Sequence, residues 1–234
     1  MNILKLLSGS YGGEIIFVGG KSVGFAGTTS NMVISITDLT GGIDTQPSQG
    51  DIVIVFNSSG GADESVIANT VIGYTLAWDL ASTDTYRVKA KMQYAIMGST
   101  PDTSITIAGG TSSIINAGAC SIAVFRGIDQ VSPFDNSITD GGINSGRPNP
   151  PAITPVTQGS YIVCMGAAAN QYTLLTNSEY DLDFLAKGDD LYDCATAMGI
   201  KKWLGGTFDP TYWGSSIDSN EFAWVSVSAA LKPA

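Results

Sequence analysis

The chain contains no histidine, which leaves a pair of carboxylates as the arrangement to consider for acid–base chemistry. That absence excludes Ser-His and Cys-His nucleophilic machinery and zinc sites built on imidazole. A glycosidase needs two carboxyl groups at a defined separation across the scissile bond, but no two glutamates lie at positions i and i+2 of one predicted strand. We therefore assign no catalytic residue and predict that the protein is not an enzyme, with glycan hydrolysis as the least favoured alternative. The glutamates are Glu14, Glu64, Glu179 and Glu221.

A second group of carboxylates could bind a cation. Aspartates are dense between residues 181 and 193, and hard cations such as Ca²⁺ bind loops that supply several carboxylate oxygens. The spacing does not match the Asp-x-Asp-x-Asp-Gly calcium loop, so a solvated acidic loop is preferred and no cofactor is predicted. The weak calcium candidates are Asp181, Asp183, Asp189 and Asp190.

Aromatic residues are concentrated in the C-terminal third of the chain, beside aspartates and asparagines. An aromatic platform with a few placed polar groups is typical of a carbohydrate site. The same rings could instead fill a core or a subunit interface, where aromatic side chains contribute much of the burial energy. The sequence leaves both interpretations open and favours packing. The candidates for glycan or interface contacts are Tyr192, Trp203, Tyr212 and Trp213.

The composition favours short strands over helices. The chain contains 28 glycines and only 14% of its residues are charged, which suits strands joined by tight turns. The clearest half-buried strand lies within residues 85–97, where apolar and polar side chains alternate. We predict an all-β protein, an antiparallel two-sheet β-sandwich of jelly-roll type with roughly ten strands. The predicted strands cover residues 14–18, 32–36, 52–56, 74–78, 85–97, 104–108, 117–125, 160–165, 172–175, 195–203 and 222–231.

Three stretches are predicted to lie outside the strands. Residues 57–64 contain Ser58-Ser59-Gly60-Gly61 directly after a core strand, which is typical of a loop. Residues 140–151 are rich in glycine, proline and asparagine, and each proline disfavours helix at itself and at the preceding residue. The all-β pattern continues after them, so a crossover loop is preferred to a hinge. A helix over residues 183–198 is disfavoured by Gly188 and the two aspartates that follow it.

Charge and cysteine content limit the partners and the compartment. The formal net charge is −10 and the 11 basic residues are scattered, so we predict no nucleic-acid binding. The apolar residues 1–7 are too short for a signal-peptide core or a membrane span, and we interpret them as a tail that docks on another subunit. Cys120, Cys164 and Cys194 are an odd number without metal-ligand spacing. We predict buried free thiols in a protein assembled in a reducing cytoplasm.

Arg126 is interpreted as a structural residue. It follows Phe125 at the end of a predicted core strand, and Gly127 after it permits a turn. The planar guanidinium could bridge carbonyl groups or a nearby carboxylate, and the sequence suggests Asp129 or Asp135 as that carboxylate.

Five short motifs follow one another between residues 30 and 234. An apolar strand after Pro-x-x-Gly-Asp comes first, followed by a Gly-aromatic-Thr element, a tyrosine-rich strand, a Phe-Arg-Gly element with a Ser-Pro-Phe-Asp turn, and a closing strand with tryptophan. In this order the chain resembles the jelly-roll, concanavalin-like β-sandwich domains of tailed-phage virion proteins. The residues that carry the resemblance are Pro47, Gly50, Asp51, Ile52 to Phe56, Gly73, Tyr74, Thr75, Tyr86, Tyr94, Phe125-Arg126-Gly127, Ser132-Pro133-Phe134-Asp135 and Phe222 to Leu231.

The resemblance implies a non-enzymatic structural virion protein: a tail, fibre or head-decoration component assembled in the host cytoplasm. It implies assembly with copies of itself, with a trimer as one expected arrangement, and with other capsid or tail proteins. Residues 1–29 would form an N-terminal docking arm with a first strand, and residues 30–234 the jelly-roll domain. The alternative is a receptor-binding module that recognises host surface glycans through the C-terminal aromatic residues.

Overall fold

The computed structural model describes residues 13–26, 30–61, 70–83, 87–109, 117–136, 138–143, 146–169, 173–188, 193–214 and 223–234. These ranges contain twelve strands and no helix, which confirms the all-β class and replaces the predicted count of roughly ten. No helix with the length and apolarity of a membrane span occurs among these residues. The strands are β1 (Ile16–Phe25), β2 (Met32–Ser35), β3 (Ile52–Gly61), β4 (Thr75–Ala81), β5 (Arg87–Ile96), β6 (Ser104–Ile107), β7 (Gly118–Arg126), β8 (Thr139–Ile143), β9 (Tyr161–Ala169), β10 (Leu182–Gly188), β11 (Cys194–Lys202) and β12 (Trp224–Leu231).

Ten of these strands form two antiparallel sheets. The first sheet has the order β1-β7-β3-β5-β4 and the second has the order β10-β11-β9-β12-β8. Their facing sides share one hydrophobic core, in which Ile54 and Phe56 of β3 lie in the same buried cluster as Met165 of β9 and Val227 of β12. The prediction of antiparallel sheets is confirmed, whereas jelly-roll connectivity stays a prediction.

The outer side of each sheet is covered as well. Over the first sheet lies the β2-β6 ladder, whose Ile34 and Ile105 pack with Val53 and Val55 of β3. Over the second sheet lie segments without regular strands, and they contribute Trp213 among other residues to a separate outer core. This burial on both sides explains why β3 and β12 are apolar or small along their whole length rather than alternating.

The two sheets have the same topology. We number the strands of each sheet in chain order. The first sheet read from β1 and the second sheet read from β8 then both have the order first, fifth, second, fourth, third. The five strands of the first sheet precede all five of the second along the chain. The two consecutive halves of the chain, divided near residue 127, therefore build equivalent sheets that pack face to face.

Local details of the two halves correspond. The turns Ser48–Asp51 and Thr157–Ser160 precede β3 and β9, and in each the fourth residue's amide donates to the first residue's carbonyl oxygen. In each turn the third residue is a glycine with positive φ, +84° in the first and +88° in the second. The antiparallel bridge between Ile153 and Phe208 occupies the place that the β2-β6 ladder has in the first half.

The edges β1 and β10 of the two sheets come into close contact. A Cβ on Gly24 of β1 would lie 1.7 Å from the Lys187 carbonyl oxygen of β10, and one on Gly188 of β10 would lie 2.5 Å from the Phe25 carbonyl oxygen of β1. Only glycine permits such an approach between backbones. The β1 strand of the predicted 1–29 segment is thus an edge strand of the first sheet, while residues 1–12 lie outside the described ranges.

Two predicted loops contain strand. Residues 57–61 continue β3 instead of forming a loop, because their small side chains fit between the sheets; Ser58 Oγ lies 3.0 Å from Cys194 Sγ of the facing sheet. Residues 140–143 belong to β8, which pairs with β12 at the edge of the second sheet, so only part of the predicted crossover loop is irregular. Glycine predicts a turn in both places. In the structure it allows close packing in β3 and forms part of the edge strand β8.

Two predictions near the C-terminal aspartates are also corrected. Residues 182–188, interpreted as part of an acidic loop, form β10, whose full length pairs with β11. Residues 173–175, the described part of the predicted strand at 172–175, form no strand. A segment becomes a strand only where it pairs along its length with another strand, and a local sequence pattern does not contain that information.

Candidate functional site: the loop end and the Tyr212 cleft

Loops at one end of the molecule expose aliphatic side chains, three of which are at least 75% exposed. This loop end is where β9 begins and where its partners β11 and β12 finish. Val131 is 95% exposed, Val156 75% and Leu204 84%. The loop that carries Val131 belongs to this end because Phe134 bridges Leu231, the last residue of β12. We call Val131, Val156 and Leu204 the loop-end aliphatics.

A carboxylate fixes the backbone around Val131. Asp129 Oδ1 accepts hydrogen bonds from the backbone amides of Val131 and Ser132, both at 3.0 Å. The Lys232 ammonium donates to Asp129 Oδ2 at 2.8 Å. The hydrogen bond from Lys232, with those from the two amides, lowers the pKa of Asp129 to about 2. The carboxylate therefore stays ionised at neutral pH, and the turn that presents Val131 is held in place.

A second carboxylate does the same for Val156. Asp135 Oδ2 accepts hydrogen bonds from the backbone amides of Val156 at 2.5 Å and Thr157 at 3.0 Å. Burial raises the pKa of Asp135, but the hydrogen bonds from Thr157 and Val156 outweigh burial, and the pKa is lowered overall. Asp135 comes from the Ser-Pro-Phe-Asp motif, so this element of the resemblance has a structural role in presenting Val156.

Trp203, one of the predicted aromatic candidates, supports the third aliphatic residue. Its ring is partly buried against the outer core of the second sheet. Its indole nitrogen donates to the Gly206 carbonyl oxygen at 2.8 Å, which closes the turn containing Leu204. Trp203 therefore acts through packing and turn closure.

Arg126 is structural, as predicted, but its partner is Asp51 rather than Asp129 or Asp135. The Nε and Nη2 atoms of Arg126 donate to the two oxygens of Asp51 at 2.8 and 2.9 Å. Asp51 is fully buried and also accepts the Ser48 amide at 2.7 Å. The bidentate pair joins the start of β3 to the end of β7.

An open cleft of about 320 Å³ lies over the outer side of the second sheet, beside Tyr212. About half of the Tyr212 side chain is exposed. The Arg147 guanidinium carbon lies 5.0 Å from the centroid of the Tyr212 ring, within cation–π range. We call this site the Tyr212 cleft, and its lining residues are Thr176, Asn177, Ser178, Thr211, Tyr212 and Gly214.

The backbone before Tyr212 is anchored to the loop that precedes β10. Glu179 Oε2 accepts the Thr211 amide at 2.6 Å, and the Asn177 side-chain amide donates to the Thr211 carbonyl oxygen at 3.0 Å. Lys201, near the end of β11, donates to the Glu179 carbonyl oxygen at 2.6 Å. These bonds place the cleft near the loop end and fix the position of Tyr212.

Trp213 anchors the backbone after Tyr212 from inside. It is fully buried and stacks on Tyr180, with ring centroids 5.3 Å apart and an interplanar angle of 15°. Its backbone amide donates to the Pro148 carbonyl oxygen at 3.1 Å. Of the two interpretations that the sequence left open, burial makes Trp213 a packing residue, since its ring has no surface for a ligand.

The acidic candidates do not assemble into a cation site in the described residues. No group of three or more Asp, Glu or Cys side chains that could hold a metal ion occurs there. Asp181 accepts the Lys202 amide at 2.7 Å, and Asp183 accepts the Asn177 amide at 2.5 Å. Burial raises the pKa of Asp183. The other candidates, Asp189, Asp190 and Tyr192, lie outside the described ranges.

The three cysteines are free and buried, which confirms the prediction made from their number and surroundings. Burial raises the pKa of Cys194 to about 12 and that of Cys164 to about 11, and it raises the pKa of Cys120 as well. A thiol is a nucleophile only as the thiolate. At neutral pH these side chains therefore act as small apolar residues.

Comparison with known proteins gives no relative: no family model matches the chain, nor does a curated protein or a solved structure. The membership suggested by the motifs therefore stays a prediction.

Sequence reasoning missed the loop-end aliphatics and the role of Asn177 and Glu179. The three aliphatics share no local signal: Val131 lies between Gln130 and Ser132, Val156 follows a proline, and Leu204 precedes two glycines. Asn177 and Glu179 carry no motif, because their function depends on contact with a segment about 30 residues further along the chain.

Proposed function

We propose that the protein is a non-enzymatic structural virion protein of a tailed phage, a tail, fibre or head-decoration component that assembles with copies of itself and with other capsid or tail proteins. The observation that carries the proposal is the group of loop-end aliphatics. Single exposed apolar residues are ordinary. Here three of them extend from hydrogen-bonded turns at the same end of the molecule, and such preorganised side chains lose little entropy when they are covered.

Three further properties support an assembly role. The sheets are covered on both sides, so the molecule is suited to act as a rigid building block. Buried thiols leave no described cysteine available as a nucleophile. The resemblance to phage proteins suggests the setting, which is a virion assembled in the host cytoplasm. Jelly-roll connectivity is part of the same proposal. Two antiparallel sheets with one shared core are compatible with it.

The occupant proposed for the loop end is a second copy of the chain. The test is the molar mass of the full-length protein in solution by light scattering during size-exclusion chromatography. We expect an oligomer for the native protein and a shift to monomer for Val131→Asp/Leu204→Asp, because two carboxylates would be buried at the contact. The matched control is Val33→Asp, which alters an exposed valine on β2 over the first sheet, away from the loop end.

Two results would contradict the assembly surface. One is a native protein that stays monomeric at high micromolar concentration. The other is an oligomer that the double variant leaves intact, since the contact would then lie elsewhere. Far-UV circular dichroism of each variant shows whether the fold is retained; the substituted side chains are exposed, so we expect it to be unchanged.

A further inference from the structure

The two halves of the chain differ most clearly in the layer that covers their sheets. In the first half this layer is the regular β2-β6 ladder. In the second half the equivalent segments meet at the bridge between Ile153 and Phe208 and form no regular ladder in the described residues. The remaining residues of the layer form the Tyr212 cleft instead. This irregular, loop-built surface is the part of the second half that departs from the common plan, and loops on a rigid scaffold are where binding residues concentrate.

The lining of the Tyr212 cleft combines one exposed ring with unengaged hydroxyl groups. Thr176 and Ser178 are exposed, and their hydroxyls make no hydrogen bond to any other described residue. The Arg147 guanidinium lies over one face of the Tyr212 ring, and the exposed part of the ring offers an aromatic surface with a polar tip. A sugar ring presents the complementary chemistry, with a face of C–H groups that packs on an aromatic ring and hydroxyls at its rim that bond to protein hydroxyls and amides.

The cleft is also fixed before any ligand enters. Thr211 on one side of Tyr212 is held by Glu179 and Asn177, and Trp213 on the other side is buried in the outer core. A ligand that binds there does not have to order the chain, so little affinity is lost to conformational entropy.

Charge selects the class of sugar. The Glu179 carboxylate adjoins the cleft and the Arg147 guanidinium lies over the Tyr212 ring, so these two charges offset one another locally. The formal net charge of −10 repels anionic polysaccharides at long range. The cleft volume of about 320 Å³ lies at the lower end of the range for ligand sites. An open cleft of this size accommodates a short stretch of a longer chain.

We propose that the Tyr212 cleft is a binding site for neutral glycans, with Tyr212 as the stacking platform and Thr176 and Ser178 as hydrogen-bonding partners. This function goes beyond the assembly role and uses a different surface from the loop-end aliphatics.

The test is binding of the labelled full-length protein to an array of bacterial O-antigens, capsular polysaccharides and synthetic neutral oligosaccharides. Titration calorimetry with the best-bound neutral glycan follows. We expect Tyr212→Ala to weaken binding by about tenfold or more, as truncation of an aromatic anchor does. Tyr212→Phe keeps the ring and is expected to stay within about threefold of the native affinity.

The matched control is Leu76→Ala on β4, because Leu76 is exposed to about the same extent as Tyr212 but lies in the first half. It is expected to bind like the native protein. The proposal is overturned if no neutral glycan binds, if only acidic glycans bind, or if Tyr212→Ala and Leu76→Ala have the same affinity. Light scattering on Tyr212→Ala separates this proposal from the assembly role, because the oligomeric state should not change.

Discussion

At the scale of single residues, the pair of Asp51 and Arg126 shows how a motif can be structural without being catalytic. Both oxygens of the buried carboxylate are engaged by the guanidinium, and a backbone amide adds a third hydrogen bond. Hydrogen bonding and the charge of Asp51 raise the pKa of Arg126. The pair joins two neighbouring strands at the loop end, so it secures the base from which the loops extend.

Replacing Arg126 with methionine tests this role. The change leaves the buried Asp51 without its counter-ion, and removing one partner of such a pair is strongly destabilising. Because the guanidinium is partly exposed, we expect a loss of about 2–3 kcal/mol in the free energy of unfolding, measured by urea denaturation at pH 7.

The second half of the chain offers the matched control. Lys232 directly follows β12, and Arg126 is the last residue of β7, but the Lys232 partner Asp129 is partly exposed whereas Asp51 is fully buried. Lys232→Met is therefore expected to change stability little. Equal losses for the two variants would show that burial of the carboxylate does not determine the effect.

The sequence predicted some residue roles and not others, for reasons visible at Tyr212 and Trp213. Buried thiols and a structural Arg126 follow from residue type and local context. Tyr212 and Trp213 are adjacent aromatic residues in an irregular segment, so no periodicity distinguishes the exposed ring from the buried one. The partner Asp51 was missed because the contact spans 75 positions in the chain.

At the scale of elements, the contact between β1 and β10 decides how the two sheets close on one side. The backbone of Gly24 lies against the Lys187 carbonyl group so closely that no side chain fits between them. We expect Gly24→Ala to destabilise the protein by about 1–3 kcal/mol, the usual cost of overpacking. Urea denaturation measures the loss.

Gly98→Ala is the control for this prediction. Gly98 has no atom of another element within 4 Å of an added Cβ. Alanine there is expected to leave stability unchanged or slightly increased, because it restricts the unfolded chain. If Gly24→Ala were as stable as Gly98→Ala, the close approach of β1 and β10 would be wrong.

Strands with a strong local pattern were the predictable elements. The apolar run of β3 and the alternation in β5 were sufficient to find both strands. The extension of β3 to Gly61 and the existence of β8 and β10 were missed, because glycine, serine and aspartate lower local strand propensity. Only pairing with a partner strand makes these residues extended.

At the scale of the whole molecule, the chain is two versions of one sheet packed face to face. The sequence does not reveal this repetition, because equivalent positions carry different residues; Asp51 before β3 corresponds to Ser160 before β9. What the halves share is the strand order and the glycine turn. The covering layers differ: one half has a regular ladder and the other has the Tyr212 cleft and its surrounding loops.

The central proposal concerns the place of this molecule in a virion. The most direct measurement is mass spectrometry and cryo-electron microscopy of purified phage particles encoded by the genome that carries this sequence. We expect peptides of the chain in near-stoichiometric amounts relative to a capsid or tail protein. We also expect density for two five-stranded sheets at symmetry-related positions, with the loop end in contact with a neighbouring copy. Complete particles that lack these peptides would contradict it.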